Sequence, residues 1–304
     1  MPVAAPQYPD SLNPKSAAKL AYLDNLRPID PCGYLDVAAL ERIGPPAHIG
    51  AAGEFNSCTA SFATEVGSKR IGKVELDMGM IHEPGFGTRV DVNGTTIMVA
   101  DAGEFCSAHL ELDDQQTIAV RVFVAPTAPR ADLCTEATEI ATASIPLLKT
   151  RPPRSGSAHE NVDTKLSRLD ACDVLHTLGR DRPNLEIGGL NPWGCWFQLD
   201  RLDQSTQQEI AFLRVSEVLI SKVMTNDQLT EIDGFPARYS SGTGKYAATC
   251  ELVVGVDAQR RTKQERRASG DRDIEVVRIN TNTGGCDTAK ATAAEVVRLY
   301  KQLS

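Results

Sequence analysis

Eight cysteines, five histidines and 40 carboxylates are the residues of this 304-residue chain with chemistry to offer. The cysteines are Cys32, Cys58, Cys106, Cys134, Cys172, Cys195, Cys250 and Cys286. Their even number, with no CxxC or other short-spaced pair, argues against a zinc site or a thiol-exchange motif. It argues for disulfides, and so for an oxidising compartment. The histidines, His48, His82, His109, His159 and His176, stand in no HExxH or His-x-His pair. His82-Glu83 with nearby Asp77 offers metal ligands by residue type, but reads as a solvated loop. Ser157 and His159 lack the Gly-x-Ser-x-Gly frame of a nucleophile elbow. Gly242-Thr-Gly-Lys245 is similar to a phosphate loop, yet Tyr246 replaces the required Ser or Thr and a cysteine-bearing strand follows instead of a helix. Gly85-Phe-Gly87 reads as a turn, not a dinucleotide fingerprint. Carboxylates are too abundant for spacing alone to select a pair for glycoside hydrolysis. No catalytic residue, metal site or cofactor is expected.

The cysteines must instead be understood through the elements that carry them. Their contexts repeat in order. Ile29–Leu35 around Cys32 aligns without a gap with Leu169–Leu175 around Cys172. The strand contexts of Cys58 and Cys195, and then of Cys106 and Cys250, correspond in turn. Cys134 and Cys286 each open an Ala-rich helix. Intervals of 26, 48 and 28 residues in the first half match 23, 55 and 36 in the second, which points to a tandem duplication. Asn93-Gly94 and Asp233-Gly234, each shortly before a third cysteine, read as hairpin turns. Bridges confined to each half allow three pairings per half. First-to-second and third-to-fourth is preferred, because each bridge then joins a helix start to a strand.

Hydrophobic periodicity places a lead helix over 13–26 and a short helix, Val37–Arg42, capped by Asp36 and ended by Gly44. Strands are expected at 58–63, 71–78, 95–99, 106–112 and 117–124, then a helix over 129–145 that Pro146 stops. The second half repeats the plan. It has a helix over 169–178, strands at 193–199, 209–215, 217–224, 235–239, 250–256 and 274–279, and a helix over 288–303. The fold class is therefore α+β: two tandem modules, each a mainly antiparallel sheet with helices packed on it and two disulfides. The expected domains are a lead segment 1–26, a first module 27–148, a linker 149–164 rich in Pro, Gly and Ser, and a second module 165–304.

A net charge of -8 argues against a nucleic-acid partner, and no apolar run is long enough to span a membrane. The N-terminus MPVAAPQYPD has neither a basic nor an apolar region of a signal peptide, which leaves two readings, a cytosolic chain or one from which an export signal, lipid anchor or membrane segment was removed; the disulfides expected of the cysteines favour the second. Two features suit binding. Trp193, Trp196 and Phe197 cluster around Cys195, where aromatics either pack on the disulfide or form a contact surface. Arg260, Arg261, Arg266 and Arg267 insert positive charge between two strands, as a solvated hairpin or a dock for an anionic surface ligand or acidic envelope protein.

Asp30-Pro-Cys32, Cys58-Thr, Gly234-Phe-Pro-Ala-Arg-Tyr239 ahead of Cys250, and Cys286 at the start of an Ala-rich helix resemble the DUF3558 family of actinobacterial exported proteins and lipoproteins. The resemblance covers both halves and implies a cell-envelope location, with no established activity or catalytic residues to carry over. The chain differs from single-module members in its tandem form and in lacking a lipidation cysteine at its start. The function expected is that of an exported, non-enzymatic envelope protein, a binding or scaffold module for a protein complex or surface ligand. The alternatives are the extracytoplasmic sensor of a larger membrane protein and a carboxylate-dependent hydrolase.

Overall fold

The computed structural model describes residues 12–51, 53–62, 71–81, 87–112, 116–125, 132–187, 191–221, 227–242, 249–257 and 273–303. Contacts divide the chain into two compact units: a first, Leu26–Asp163, and a second, Thr164–Ser304 together with Met1–Asn25. The lead helix α1 (Pro14–Leu26) thus belongs, up to Asn25, with the second unit.

The first unit contains α2 (Val37–Ile43), seven strands and α3 (Leu133–Ser144). The strands are β1 (Pro46–Gly50), β2 (Ser57–Phe62), β3 (Ile71–Ile81), β4 (Thr88–Val92), β5 (Thr95–Asp101), β6 (Phe105–Glu111) and β7 (Gln116–Val124). They form one antiparallel sheet in the order β1-β2-β3-β7-β6-β5-β4. Alternation sends Val74, Leu76, Val120 and Val122 into the core, where Ala137, Ile140 and Ala141 of α3 are also buried. Small residues on α3 allow close packing on the sheet. Asp36 caps α2 by accepting from the Ala39 N–H, and Asp132 caps α3 by accepting from that of Thr135.

The second unit has α4 (Leu175–Leu178), α5 (Val218–Ser221), α6 (Gly285–Gln302) and seven more strands. These are β8 (Glu186–Ile187), β9 (Gly194–Gln198), β10 (Gln207–Ser216), β11 (Asp227–Ile232), β12 (Phe235–Ser241), β13 (Cys250–Gly255) and β14 (Asp273–Thr281). Their order, β8-β9-β10-β14-β13-β12-β11, is that of the first sheet strand for strand. The architecture is α+β with two tandem sheets, as expected. Asn93-Gly94 and Asp233-Gly234, with φ of 51°, 82°, 49° and 85°, form the two-residue turns of β4–β5 and β11–β12. On the core face of the second sheet, the Thr292 hydroxyl of α6 donates to buried Gln208 at 2.6 Å.

Three local expectations are corrected. Where a strand is expected over 217–224, the described residues hold the short helix α5 and residues 222–224 lie outside the described residues; a brief apolar run carries no period to separate helix from strand. Ile220 packs there on Val253, Ile274 and Val276. The stretch 169–178 is mostly turn, with helix only in α4, because the Asp170 carboxylate takes the Cys172 N–H and the following bonds span three residues. The proline-rich stretch 149–164, expected as a linker, falls up to Asp163 within the first unit. Pro153 makes an isolated antiparallel bridge to Ile29, and Glu160 an isolated parallel bridge to Gly50 at the end of β1. Gly33 and Gly50 allow this approach, since a Cβ on either would meet Pro152 or the Glu160 carbonyl at 2.4 Å.

Candidate functional site

The four disulfides are Cys32–Cys58, Cys106–Cys134, Cys172–Cys195 and Cys250–Cys286. The repeated Asp-x-Cys motif has a physical role: Asp30 and Asp170 each accept the backbone N–H of the cysteine two residues on, at 2.7 and 2.8 Å. The turn so formed presents the sulfur to the core face of β2 or β9. Cys134 and Cys286 are each the second residue of a closing helix and tie it to β6 or β13. All four bridges lie on the core side; on the opposite face of the second sheet α5 covers an apolar cluster of Val253, Ile274 and Val276, and the rest of that face carries the polar side chains.

Register shows what those faces carry. In the second unit, Trp196, Glu209, Asn280, Glu251, Ser240 and Asp227 are successive cross-strand partners on β9, β10, β14, β13, β12 and β11. The row spans six strands, about 24 Å at the usual interstrand spacing. Five of the six, all but Trp196, line a cleft of about 650 Å³. Arg238, one row away, pairs with Asp227 at 3.0 Å and with Glu251 at 3.6 Å, while Glu209 is exposed and makes no ion pair among the described residues.

The corresponding row of the first unit is Thr59, Glu75, Arg121, Ser107 and Ala100. A cleft of about 660 Å³ opens at its β2–β3–β7 end, lined also by Asp77, Lys73 and Glu54. Arg121 bridges Glu75, at 3.2 Å, and Asp77. Burial pushes the Asp77 carboxyl up to about 6, against the pull of Arg121. His109 lies on the same face, within 3.1 Å of the Ser107 hydroxyl.

Neither other polar cluster assembles chemistry. Asp30, Cys32 and His159 converge, but the Cys32 sulfur is bonded to Cys58 and is no thiolate ligand. The Ser157 hydroxyl donates to Asp30 at 2.7 Å, and His159 meets the same carboxylate oxygen through Nδ1 at 2.8 Å. With carboxylate and hydroxyl both on Nδ1, the imidazole cannot relay a proton between them. In the second unit, Glu275 is buried beside Arg214 at 3.4 Å. Burial raises its carboxyl to about 7, opposed by the Thr164 hydroxyl, Arg214 and the Leu166 backbone.

Because Glu275 and Asp77 both lie above their ordinary 4.5 and 3.8, these two groups hold more protons in the folded chain than in the unfolded chain between those values and about 7. Their contribution to stability is therefore greatest at the acid end of that window and is lost as pH rises through it. Urea midpoints should drop from pH 5 to pH 8, and Glu275→Gln should reduce the drop. An E275Q profile parallel to wild type would disprove the assignment.

Of the residues expected to make contacts, Trp193 is 2 % exposed and its indole N–H donates to the Ser167 carbonyl at 2.9 Å. It is a core residue and offers no surface to a partner. Trp196 is turned to the opposite face, partly exposed, at the end of the polar row. Arg260, Arg261, Arg266 and Arg267, like His82 and Glu83, lie outside the described residues. The row itself was not anticipated from sequence. Its only linear hints are a tryptophan and a glutamate each next to a bridged cysteine, Trp196 and Glu251. Among the described residues no helix is long and apolar enough to cross a membrane. Comparison with family models, with curated proteins and with solved structures finds no match to the chain.

Proposed function

We propose that the chain is an exported cell-envelope protein that acts without catalysis, as a binding or scaffold module for a partner protein or surface ligand. The observation that carries this reading is the placement of the four disulfides. Each unit is stapled twice on its core side, which suits an oxidising compartment and stiffens a sheet whose other face holds a polar cleft. The resemblance to the DUF3558 family supports the same location. The second unit is the favoured contact module, through the face bearing Trp196.

The test is fractionation of cells that make the protein from its full reading frame, with thiols alkylated before lysis. Recovery in the envelope or medium with all eight cysteines blocked until reduction is expected. Cytosolic recovery with alkylated cysteines would sink the proposal. Carboxylate-dependent hydrolysis stands as a second reading on one observation, the gathering of Glu54, Glu75 and a raised Asp77 in the first unit's cleft. Hydrolysis of an envelope glycan that Asp77→Asn abolishes would favour it over binding alone.

A further inference from the structure

We infer that the transverse row Trp196–Glu209–Asn280–Glu251–Ser240–Asp227 is a binding track for a linear, neutral oligosaccharide. The inference rests on the binding-module reading above and names the ligand class for its second unit. Three properties of the row lead there.

The first is shape. Partners in register on six adjacent strands make a straight line across the sheet, and the cleft follows it from Glu209 to Asp227. A straight track about 24 Å long fits an extended polymer better than a compact metabolite.

The second is charge. Three carboxylates line the cleft, which taken alone suggests a polycation. Two of them, Asp227 and Glu251, share the one guanidinium of Arg238, and Glu209 makes no ion pair among the described residues, so the acids are partly compensated. The row of carboxylate, amide and hydroxyl groups, with Arg238 beside it, supplies both donors and acceptors. Hydroxyl groups, which donate and accept at once, match it along its length. A chain of lysines would meet the Arg238 guanidinium midway.

The third is the aromatic end. Trp196 presents an indole beside Glu209 on the open face, whereas Cys195 and Phe197 on either side are buried. An apolar plate next to an acceptor suits a sugar ring, which has an apolar C–H face and a polar rim. The equivalent first-unit position is Thr59, and Arg121 replaces Asn280 there, so that unit lacks the plate and carries a cation within the row itself.

The experiment uses the full chain, whose tryptophan emission comes from two residues only. Acrylamide should quench Trp196 and spare buried Trp193. Linear β-linked glucose and N-acetylglucosamine oligomers, from disaccharide to hexasaccharide, are titrated while emission and heat are followed. The expected result is protection of Trp196 from quenching and an affinity that rises with oligomer length. Trp196→Ala and Glu209→Gln should each weaken the longest oligomer roughly tenfold or more, with unchanged unfolding midpoints. Oligolysine of similar length is the control. Binding of oligolysine alone, through the same residues, would overturn the ligand class while leaving a binding module in place. Failure of both series, or oligosaccharide binding untouched by either substitution, would overturn the site. The fractionation outcome is independent of all three.

Discussion

Replacing Arg154 by methionine is expected to destabilise the first unit by about 3–5 kcal/mol, the range for stranding buried polar partners. Arg154 is 3 % exposed. Its guanidinium donates to four backbone carbonyls: Arg27 at 3.1 Å, Val162 at 2.7 Å, Ile29 at 3.1 Å and Phe55 at 2.7 Å. Burial lowers its pKa to about 10, with Asp30 and Asp163 opposing, so it stays charged at neutral pH. Methionine fills much of the volume but donates nothing, and each orphaned buried carbonyl costs roughly 1–3 kcal/mol before relaxation. The carbonyls come from three stretches of chain, around residues 27–29, 55 and 162. One planar fork with donors on all sides can reach them together. A lysine ammonium gathers its donors at one point, so Arg154→Lys should recover only part of the loss. Urea unfolding of the three proteins decides. A loss below about 1 kcal/mol for R154M would show that the carbonyls find other partners.

The same arginine explains why the segment 149–163 was hard to read. Pro, Gly, Ser and charge are what a linker is made of, and apolar content is the usual sign of packing. Here a single buried guanidinium does the work of an apolar anchor by collecting backbone carbonyls, and composition cannot register that. The duplication was legible for the opposite reason: the cysteines and the Asn-Gly and Asp-Gly turns are geometrically demanding positions, and both copies keep them. Central strands such as β7, with Ile118, Val120 and Val122 in alternation, were visible too. The edge strands β1, β4, β8 and β11 are not legible, because they are short, β1 begins with a proline and β4 is exposed at three of its five positions. Trp193 and Trp196 looked equivalent as a pair. The chain entering β9 turns one into the core and the other out. The polar row is hidden most deeply. Its six residues span positions 196 to 280, and only the register of five strand pairings aligns them.

Removing the Cys250–Cys286 bridge by replacing both residues with serine should lower the stability of the second unit by about 3–4 kcal/mol. Its loop spans 36 residues, the longest of the four, and loop-closure entropy in the unfolded chain grows with length. The growth is slow: the 23-residue Cys172–Cys195 loop is expected to contribute only ~0.4 kcal/mol less. Differences between bridges will therefore report packing rather than loop length. Cys250 is buried, so a serine hydroxyl there adds a desolvation cost that entropy alone omits. Replacement by alanine separates the two, since it removes the bridge without adding a polar group. If the serine and alanine pairs lose the same amount, entropy dominates. If the alanine pair loses less than about 1 kcal/mol, the closing helix α6 is held by packing alone. The two bridges of a unit together amount to ~7 kcal/mol, close to the whole stability of an ordinary domain. Full reduction in the absence of denaturant should therefore unfold both units, as loss of near-ultraviolet dichroism will show. Retention of a cooperative urea transition after complete reduction and alkylation would mean that the sheets stand without their staples, and it would weaken the argument that the fold is built for an oxidising compartment.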